Sequence, residues 1–576
     1  MKPTLRWRLP EPPTIDTRSI AAAAGIPELA VRLLASRDLT TPDAIKAFLD
    51  PSPAGLRKPD TLPDIGVATE RIVDAIEKHE RILVYGDYDV DGVTGTALLV
   101  SVLQSLGADV LYYLPARETE GYGFSLRGVE FGRDNGVKLV VTNDCGSGDF
   151  VSVKAARAAG IDVIVTDHHE FKDPAGGEPL PALALVNPKR PDSAYPFREL
   201  AGVGVAFKLA WSVLSAMGRT RDELVALLDL VGLGTIADVV PLVEENRIIA
   251  RLGLTAIRRS TRPGIRALLD VARVRDRLSS YAVGFMLAPR INAAGRVGRA
   301  DKAVRLLLTD DPTEARAIAG ELDEMNRARQ AIEVRIFNEA MELVAARQPS
   351  VGRAIVVAGE DWHEGVIGIV ASKLTEEFYR PCIIISLKQD RGKGSGRSIT
   401  GFNLHEALQH CAGHLLGYGG HRYAAGLTLE RHRLPDFETA LNEYAARLPD
   451  EIYQPSLQVD AVASLDDIDD ELVATLDRFE PFGPDNRAPI FAALGLEVVG
   501  YPRKVGRDQN HLKLRLRSGT RVFDAIAWDR SSELLNITVG QKGHLDVCFT
   551  VDRNTYNGTT STQLTIRDLC TSSAPD

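Results

Sequence analysis

At 576 residues the chain is too long for one hydrophobic core, and roughly 100 to 200 residues per domain suggests about three to five units. A composition of 44% hydrophobic and 25% charged residues with 31 prolines excludes a fibrous or disordered protein. The net charge of −10 disfavours a uniformly basic nucleic-acid binder, yet residues 503–530 hold eight Lys/Arg against three acids, so one region can still attract phosphates.

In chain order, the N-terminal "MKPTLRWRLPEPP" lacks the apolar stretch of a signal peptide. The segment at 21–35, "AAAAGIPELAVRLLA", is too short and interrupted to cross a bilayer, so a cytoplasmic protein without membrane association is expected. The five cysteines (Cys145, Cys382, Cys411, Cys548, Cys570) form no C-x-x-C pair, which argues against a zinc ribbon or a disulfide framework and fits a reducing compartment. From residue 81, β-branched runs alternate with amphipathic segments: "ILVY", "TGTALLVSVLQSLG", "DVLYYLP", "VKLVVT", "FVSVKAARAAG", "IDVIVT" and "ALALVNP". This pattern predicts βαβ units and a parallel sheet covered on both faces, with ligands outside the carboxyl ends of the strands. Residues 311–347, whose only breakers are Pro312 and Gly320, predict a long helix bridging two domains. A second α/β segment follows, and beyond the Pro/Asp-rich stretch near 449–470 short alternating strands such as "HLKLRLRSG" and "GHLDVCFTVDRN" predict a small β-barrel.

Acids and imidazoles gather at three of the predicted strand ends. "ILVY" leads to Asp87, Asp89 and Asp91; "KLVVT" leads to Asp144; "DVIVT" leads to Asp167, His168 and His169. Asp238 follows the helical "LVGLGTIA", where a helix dipole would disfavour it, so structure alone explains it poorly. Crowded carboxylates raise one another's pKa unless a cation lies among them, and oxygen donors with one or two imidazoles suit Mn²⁺ or Mg²⁺ better than Zn²⁺. Two divalent ions are therefore expected. Taken singly, a D-x-D-G segment is more often a solvated turn, and Cys145 reads as a small buried residue.

The ordered motifs "DYDVDG", "TNDCG", "DHH" and "GTIADVVPL" resemble those of the DHH phosphoesterases, and among these the RecJ single-strand-specific 5′→3′ exonucleases. The resemblance continues through "LAGVGVAF", "PRINAAGR", "WHEGVIGI", "GSGRS", "GYGGHRYAAG" and "EPFGPDNRAPIF". It implies an α/β architecture: a parallel-sheet DHH catalytic domain (61–310) after an N-terminal extension (1–60). A connecting long helix (311–347), a DHHA1 domain (348–450) and an OB-type single-strand-binding barrel (455–576) follow. It also implies metal binding by Asp89, Asp91, Asp144, His168 and Asp238, with Asp144 bridging two ions. Asp144, His168 and His169 would be catalytic, His169 touching the scissile phosphate, and Asp87 would be a ligand or a hydrogen-bond acceptor behind the ligands. Where the family more often has Asp followed by Asn or Thr, this chain has Cys145 after Asp144.

Candidates for gripping a 5′-phosphate are Ser395 and Arg397, whose glycine neighbours would let backbone N–H groups approach, together with Arg117, Arg290 and His421. Tyr122 and Phe124 are candidates for stacking on a base. The function so implied is release of 5′-mononucleotides from single-stranded DNA by two-metal-ion hydrolysis in repair and recombination, in company with a RecQ-type helicase and a single-strand-binding protein. The alternatives are a DHH phosphodiesterase of short oligonucleotides or cyclic dinucleotides, and a non-catalytic single-strand-binding scaffold.

Overall fold

The computed structural model describes residues 5–117, 119–170, 178–274, 278–347, 352–530, 534, 535, 537, 544–556 and 559–572. Residues 348–351, the expected start of the second α/β domain, and Gly543 of the expected barrel strand lie outside these. The chain divides into two compact units, one of residues 52–453 with 481–486 and the other of residues 1–51, 454–480 and 487–576.

In the first unit, β1 (Ile82–Gly86), β2 (Val110–Tyr113), β3 (Leu139–Asn143), β4 (Asp162–Thr166) and β5 (Ala184–Val186) form a sheet in the order β2-β1-β3-β4-β5. Every neighbouring pair is parallel. The continuous apolar runs are explained by burial on both faces. Ile82, Val84, Leu139, Val141 and Ile164 enter one core, while Leu83, Tyr85, Val140, Val163 and Val165 enter another. The register pairs Gly86 with Asn143 and Asn143 with Thr166, so three strands end level. The residues that come next, Asp87, Asp144 and Asp167, therefore emerge side by side.

Three helices close over that edge: α1 (Val90–Ser105), α2 (Gly202–Ala216) and α3 (Leu228–Ala237). A further helix, α4 (Ala288–Val297), follows a π-helical turn at Val283–Leu287. The long helix α5 (Pro312–Ala345) has 34 residues, capped by Asp311, and spans about 50 Å. Its first half contributes Ala319 and Leu322 to the core of the parallel sheet; its second half contributes Ile336, Ala340 and Val344 to the core of the next domain. The predicted bridge is present.

That next domain holds β6 (Ile355–Glu360), α6 (Glu364–Phe378), β7 (Cys382–Lys388), β8 (Arg391–Arg397), β9 (Gly417–Gly420) and β10 (Ala424–Glu430). Its sheet order is β9-β10-β8-β7-β6; only β6 and β7 run parallel.

In the second unit, β11 (Phe491–Val498), β12 (His511–Ser518), β13 (Arg521–Ala527), β14 (Leu545–Tyr556) and β15 (Thr559–Thr571) pair in the ring β11-β14-β15-β13-β12, closed by β12 on β11. This is the expected OB-type barrel. Part of the N-terminal extension packs with it: strand Arg6–Arg8 pairs with Ser456–Gln458, and the Trp7 indole N–H donates to Asp568 at 2.8 Å. Among the described residues no helix is long and apolar enough to cross a membrane.

Candidate metal centre and arginine cluster

Each acid at the sheet edge is aimed by its own local device. Asp89 caps α1, its Oδ1 accepting from the N–H groups of Asp91 and Gly92, which turns the chain sharply enough to bring Asp91 inward. Asp91 is then held by the N-terminus of α2: Gly202 N–H donates to Oδ2 at 2.6 Å and Val203 N–H to Oδ1 at 2.8 Å. Gly202 has no substitute there, because a Cβ would lie 2.7 Å from the Cβ of Asp144. Asp144 adopts φ +62, a left-handed turn that swings its carboxylate out of the strand direction. Asp238 ends α3, and the helix stops because Val239 takes φ +65, a costly conformation for a β-branched residue that is also 67% exposed.

These devices converge on His168. Its Nε2 lies 3.1 Å from Asp144 Oδ1, 3.6 Å from Asp238 Oδ2 and 3.9 Å from Asp91 Oδ2. A hydrogen bond to the Leu200 backbone engages the other ring nitrogen, leaving the Nε2 lone pair toward the acids. Burial, then the neighbouring His169, pulls its pKa down to about 3, so the imidazole is neutral.

The donor atoms form three overlapping groups: Asp87, Asp89 and Asp144; Asp91, His168 and Asp238; Asp144, His168 and His169. Asp144 and His168 each belong to two, and Asp144 links the Asp87–Asp89 side to the His168 side, the placing expected of a bridging ligand. The group fits cations by an independent criterion. Asp87 Oδ1, Asp144 Oδ1, His168 Nε2 and Asp238 Oδ2 are all buried without a hydrogen-bond partner, although buried polar atoms are nearly always satisfied. Burial and mutual repulsion hold Asp87, Asp144 and Asp238 well above the ordinary carboxylate range and Asp91 at about 7. A divalent ion among them removes both penalties.

Asp167, the first letter of the DHH triplet, has a different task. Its Oδ1 accepts from the backbone N–H of His168 and His169 and lies 2.8 Å from His169 Nδ1, while Oδ2 accepts from Ser147 N–H. Although burial works the other way, these bonds and the two histidines keep Asp167 ionised, below the usual carboxylate range. Burial pulls His169 down, but the hydrogen bond it donates to Asp167 and that carboxylate's charge outweigh it and raise its pKa.

Beside the acids lies a cluster of the opposite sign. Arg117 sits over the ring of Tyr88, 5.2 Å from its centroid, between the Asp87 and Asp89 positions. Arg296, on α4, was not singled out in the sequence reading. Burial and then the charges of Arg117, Arg329 and Arg397 pull its pKa down to about 10. Arg397 is lowered by burial and by Arg117. Ser395 and Arg397 share one face of β8, with Arg397 Nη1 donating to Ser395 Oγ at 3.2 Å.

The glycines of "GSGRS" act otherwise than expected. They lie in a paired strand, so their backbone groups serve the sheet ladder, and they face the core: a Cβ on Gly394 would meet Leu427 at 2.9 Å and one on Gly396 would meet Leu404 at 2.8 Å. Only the Ser395 and Arg397 side chains remain for a ligand.

Arg290 is engaged by the protein: Nε donates to Asp323 on α5 at 2.9 Å, Nη1 to the Met286 carbonyl of the π-helical turn and Nη2 to the Val271 carbonyl. His421 is exposed in the turn between β9 and β10. Phe124 is buried against Tyr85, whereas Tyr122 is half exposed beside His169. Cys145 is fully buried, as expected.

Comparison with known proteins places this architecture in a class. Residues 81–235 match the DHH family N-terminal domain and residues 352–447 the DHHA1 domain, so the first unit is that of a DHH protein; residues 459–568 match the RecJ OB domain. Two relatives share the name single-stranded-DNA-specific exonuclease RecJ. That of Escherichia coli K12 is 36% identical, over 95% of this chain and 96% of its own, and that of Bacillus subtilis 39%, over 99% and 71%. The crystal structure of RecJ in complex with Mn²⁺ from Thermus thermophilus superposes with a TM-score of 0.84 at 32% identity, covering 99% of this chain and 80% of that one. The chain belongs to the RecJ family.

Proposed function

We propose that the protein is a metal-dependent exonuclease that degrades single-stranded DNA from its 5′ end and releases 5′-mononucleotides. One observation carries the reading: a cluster of buried acids and imidazoles with unpartnered donor atoms adjoins a cluster of buried guanidiniums. Asp89, Asp91, Asp144, His168 and Asp238, with Asp87 beside them, would hold two divalent ions, Mn²⁺ or Mg²⁺, and Asp144 would bridge them. Bound ions supply Lewis-acid stabilisation of the charge that builds up during phosphoryl transfer and lower the pKa of water. The protein's own groups do the rest. His169, fixed by Asp167, offers an N–H to the scissile phosphate, while Arg117, Arg296, Ser395 and Arg397 hold the terminal 5′-phosphate and so set the direction of digestion. Arg290 is omitted from this pocket because its donors are already engaged, and His421 is a peripheral contributor at most.

The barrel, with its basic 503–530 segment, supports a long substrate over a dinucleotide, since a small ligand needs no extended groove. The orphaned donor atoms support catalysis over a mere binding scaffold. Five free cysteines support a reducing, cytoplasmic setting. An enzyme confined to single strands also needs a supply of unpaired 5′ ends, a role that suits a RecQ-type helicase and a single-strand-binding protein as partners in repair and recombination.

The test is incubation with Mn²⁺ and a single strand labelled at either end. Label at the 5′ end should appear at once as mononucleotide, and label at the 3′ end only after the strand has shortened. Internal cuts, or activity confined to dinucleotides, would overturn the reading.

A further inference from the structure

Tyr122 lies in a loop built to present it. It is flanked by Gly121 with φ +80 and Gly123 with φ +98, both left-handed, and a Cβ at Gly123 would fall 2.7 Å from the Asp149 carboxylate. Asp149 in turn accepts from Phe124 N–H at 2.6 Å, which pins the loop just past Tyr122, while Phe124 is buried. Yet Tyr122 itself remains 51% exposed, so the loop is not shaped to bury its ring.

Its hydroxyl is the engaged part. The oxygen lies 3.1 Å from the backbone carbonyl of Asp144 and 2.9 Å from Nδ1 of His169, with Nε2 at 3.3 Å. A carbonyl only accepts, so the phenolic proton is committed to Asp144. The ionised Asp167 also only accepts, so Nδ1 carries the proton that faces it, and the phenol oxygen accepts from that same N–H. Nδ1 also lies 2.8 Å from Asp167 Oδ1, a second acceptor. The ring is thus held between a carboxylate and a phenol oxygen that both demand a donor.

We propose that Tyr122 is a positioning residue: its hydroxyl ties the backbone of Asp144 to the ring of His169 and fixes the orientation in which the imidazole faces the scissile phosphate. This rests on the role given to His169 above. Asp167 alone leaves the ring free to swing about a single hydrogen bond; the second contact, from the Tyr122 loop, restricts that freedom. The half-exposed ring is also placed where a base could stack, and the experiment separates the two roles.

The experiment compares Tyr122→Phe, Tyr122→Leu, His169→Ala and the double variant Tyr122→Phe/His169→Ala, all in the full chain with Mn²⁺ and a 5′-phosphorylated single strand. Tyr122→Phe keeps the ring and removes only the oxygen. It should lower kcat roughly tenfold, the scale of one hydrogen bond, with KM changed less than about twofold. In the His169→Ala background the same change should have no further effect, because the group it positions is gone. Tyr122→Leu should match Tyr122→Phe in kcat.

Normal kcat in Tyr122→Phe, or effects of the two substitutions that multiply, would overturn the proposal. So would a Tyr122→Leu that raises KM while Tyr122→Phe is normal, which would make the ring a stacking surface. Thermal midpoints matching the wild type exclude a folding defect, and Tyr122→Phe is isosteric at a half-exposed site. A wild-type protein that released no mononucleotides would instead refute the proposed function itself.

Discussion

The sheet edge and the arginine cluster are the same physical situation with opposite sign. At the sheet edge, buried carboxylates push one another's pKa upward; around Arg296, buried guanidiniums push theirs downward. Neither arrangement is stable by itself, since like charges taken out of water repel and lose hydration. The sign of each supports the ligand proposed for it: cations for one, a phosphate for the other. Arg117, packed on Tyr88 in the middle of the acidic loop, brings the two clusters side by side, as the proposed function requires. A nuclease that measures from an end needs this pair, one place for chemistry and one for counting.

The comparison breaks most decisively at Asp144. Asp144→Ala removes the side chain proposed to hold both ions, and loss of Lewis-acid stabilisation worth several kcal/mol should lower mononucleotide release by about three orders of magnitude. Circular dichroism and strand binding should be nearly unchanged. Turnover near the wild-type level would show that the acidic half is not the metal centre.

On the arginine side, Arg397→Ala should reduce the preference for a 5′-phosphorylated over a 5′-hydroxyl strand by roughly tenfold, the scale of one charge-assisted contact. Competition between the two strands measures it, and an unaltered ratio would detach the arginine cluster from end recognition.

The acidic half also leaves a mark on stability. The Asp91 carboxyl titrates at about 7 in the folded chain but near its ordinary value of about 4 when unfolded. Between those pH values the unfolded state has given up the proton that the folded state retains, so the ion-free protein loses stability as pH rises from about 4 to 7. Mn²⁺ replaces the lost protons. The gain in thermal midpoint on adding Mn²⁺ should therefore be larger at pH 8 than at pH 5, and equal gains would contradict the repulsion argument.

The smallest expected effect separates Arg290 from the arginines around it. Arg290→Ala removes one of the two arginines paired with Asp323, Arg327 remaining, together with the donor to two carbonyls, and should cost about 1–3 kcal/mol of stability. The melting curve should shift while the 5′-phosphate preference stays as in the wild type.

The sequence made the acidic half legible and the basic half only partly so. Apolar runs of similar length in successive βαβ units end level in a parallel sheet, so the residue after each run shares an edge with its neighbours. Asp87, Asp144 and Asp167 could be placed together on that ground. Asp238 could be suspected from its unfavourable helix end.

The arginine cluster has no such rule, because it is assembled by packing between domains that the long helix connects. Arg290 and Arg296 stand six residues apart in one motif, and only the course of α5 decides that Arg290 meets Asp323 while Arg296 meets Arg117, Arg329 and Arg397. The sign in the sequence is local, the glycines of "HEGVIG"; the structure gives the reason for one of them, since a Cβ on Gly365 would lie 2.9 Å from the Arg296 carbonyl. The expectation that the glycines of "GSGRS" bring backbone N–H groups to a phosphate is not met for a related reason. Alternating glycines also suit a strand whose inner face has no room for side chains, and burial against Leu427 and Leu404 decided between the two. Tyr122 was noticed for its ring, whereas the structure employs its oxygen.

The left-handed turn at Val239 limits how heat-resistant this protein can become without disturbing its working parts. Glycine would adopt that turn freely, so breeding for endurance alone would discard the valine. Because the next residue back is Asp238, durability and ligand geometry meet at a single peptide unit, and a heat-hardened descendant of this chain would carry its signature at position 239.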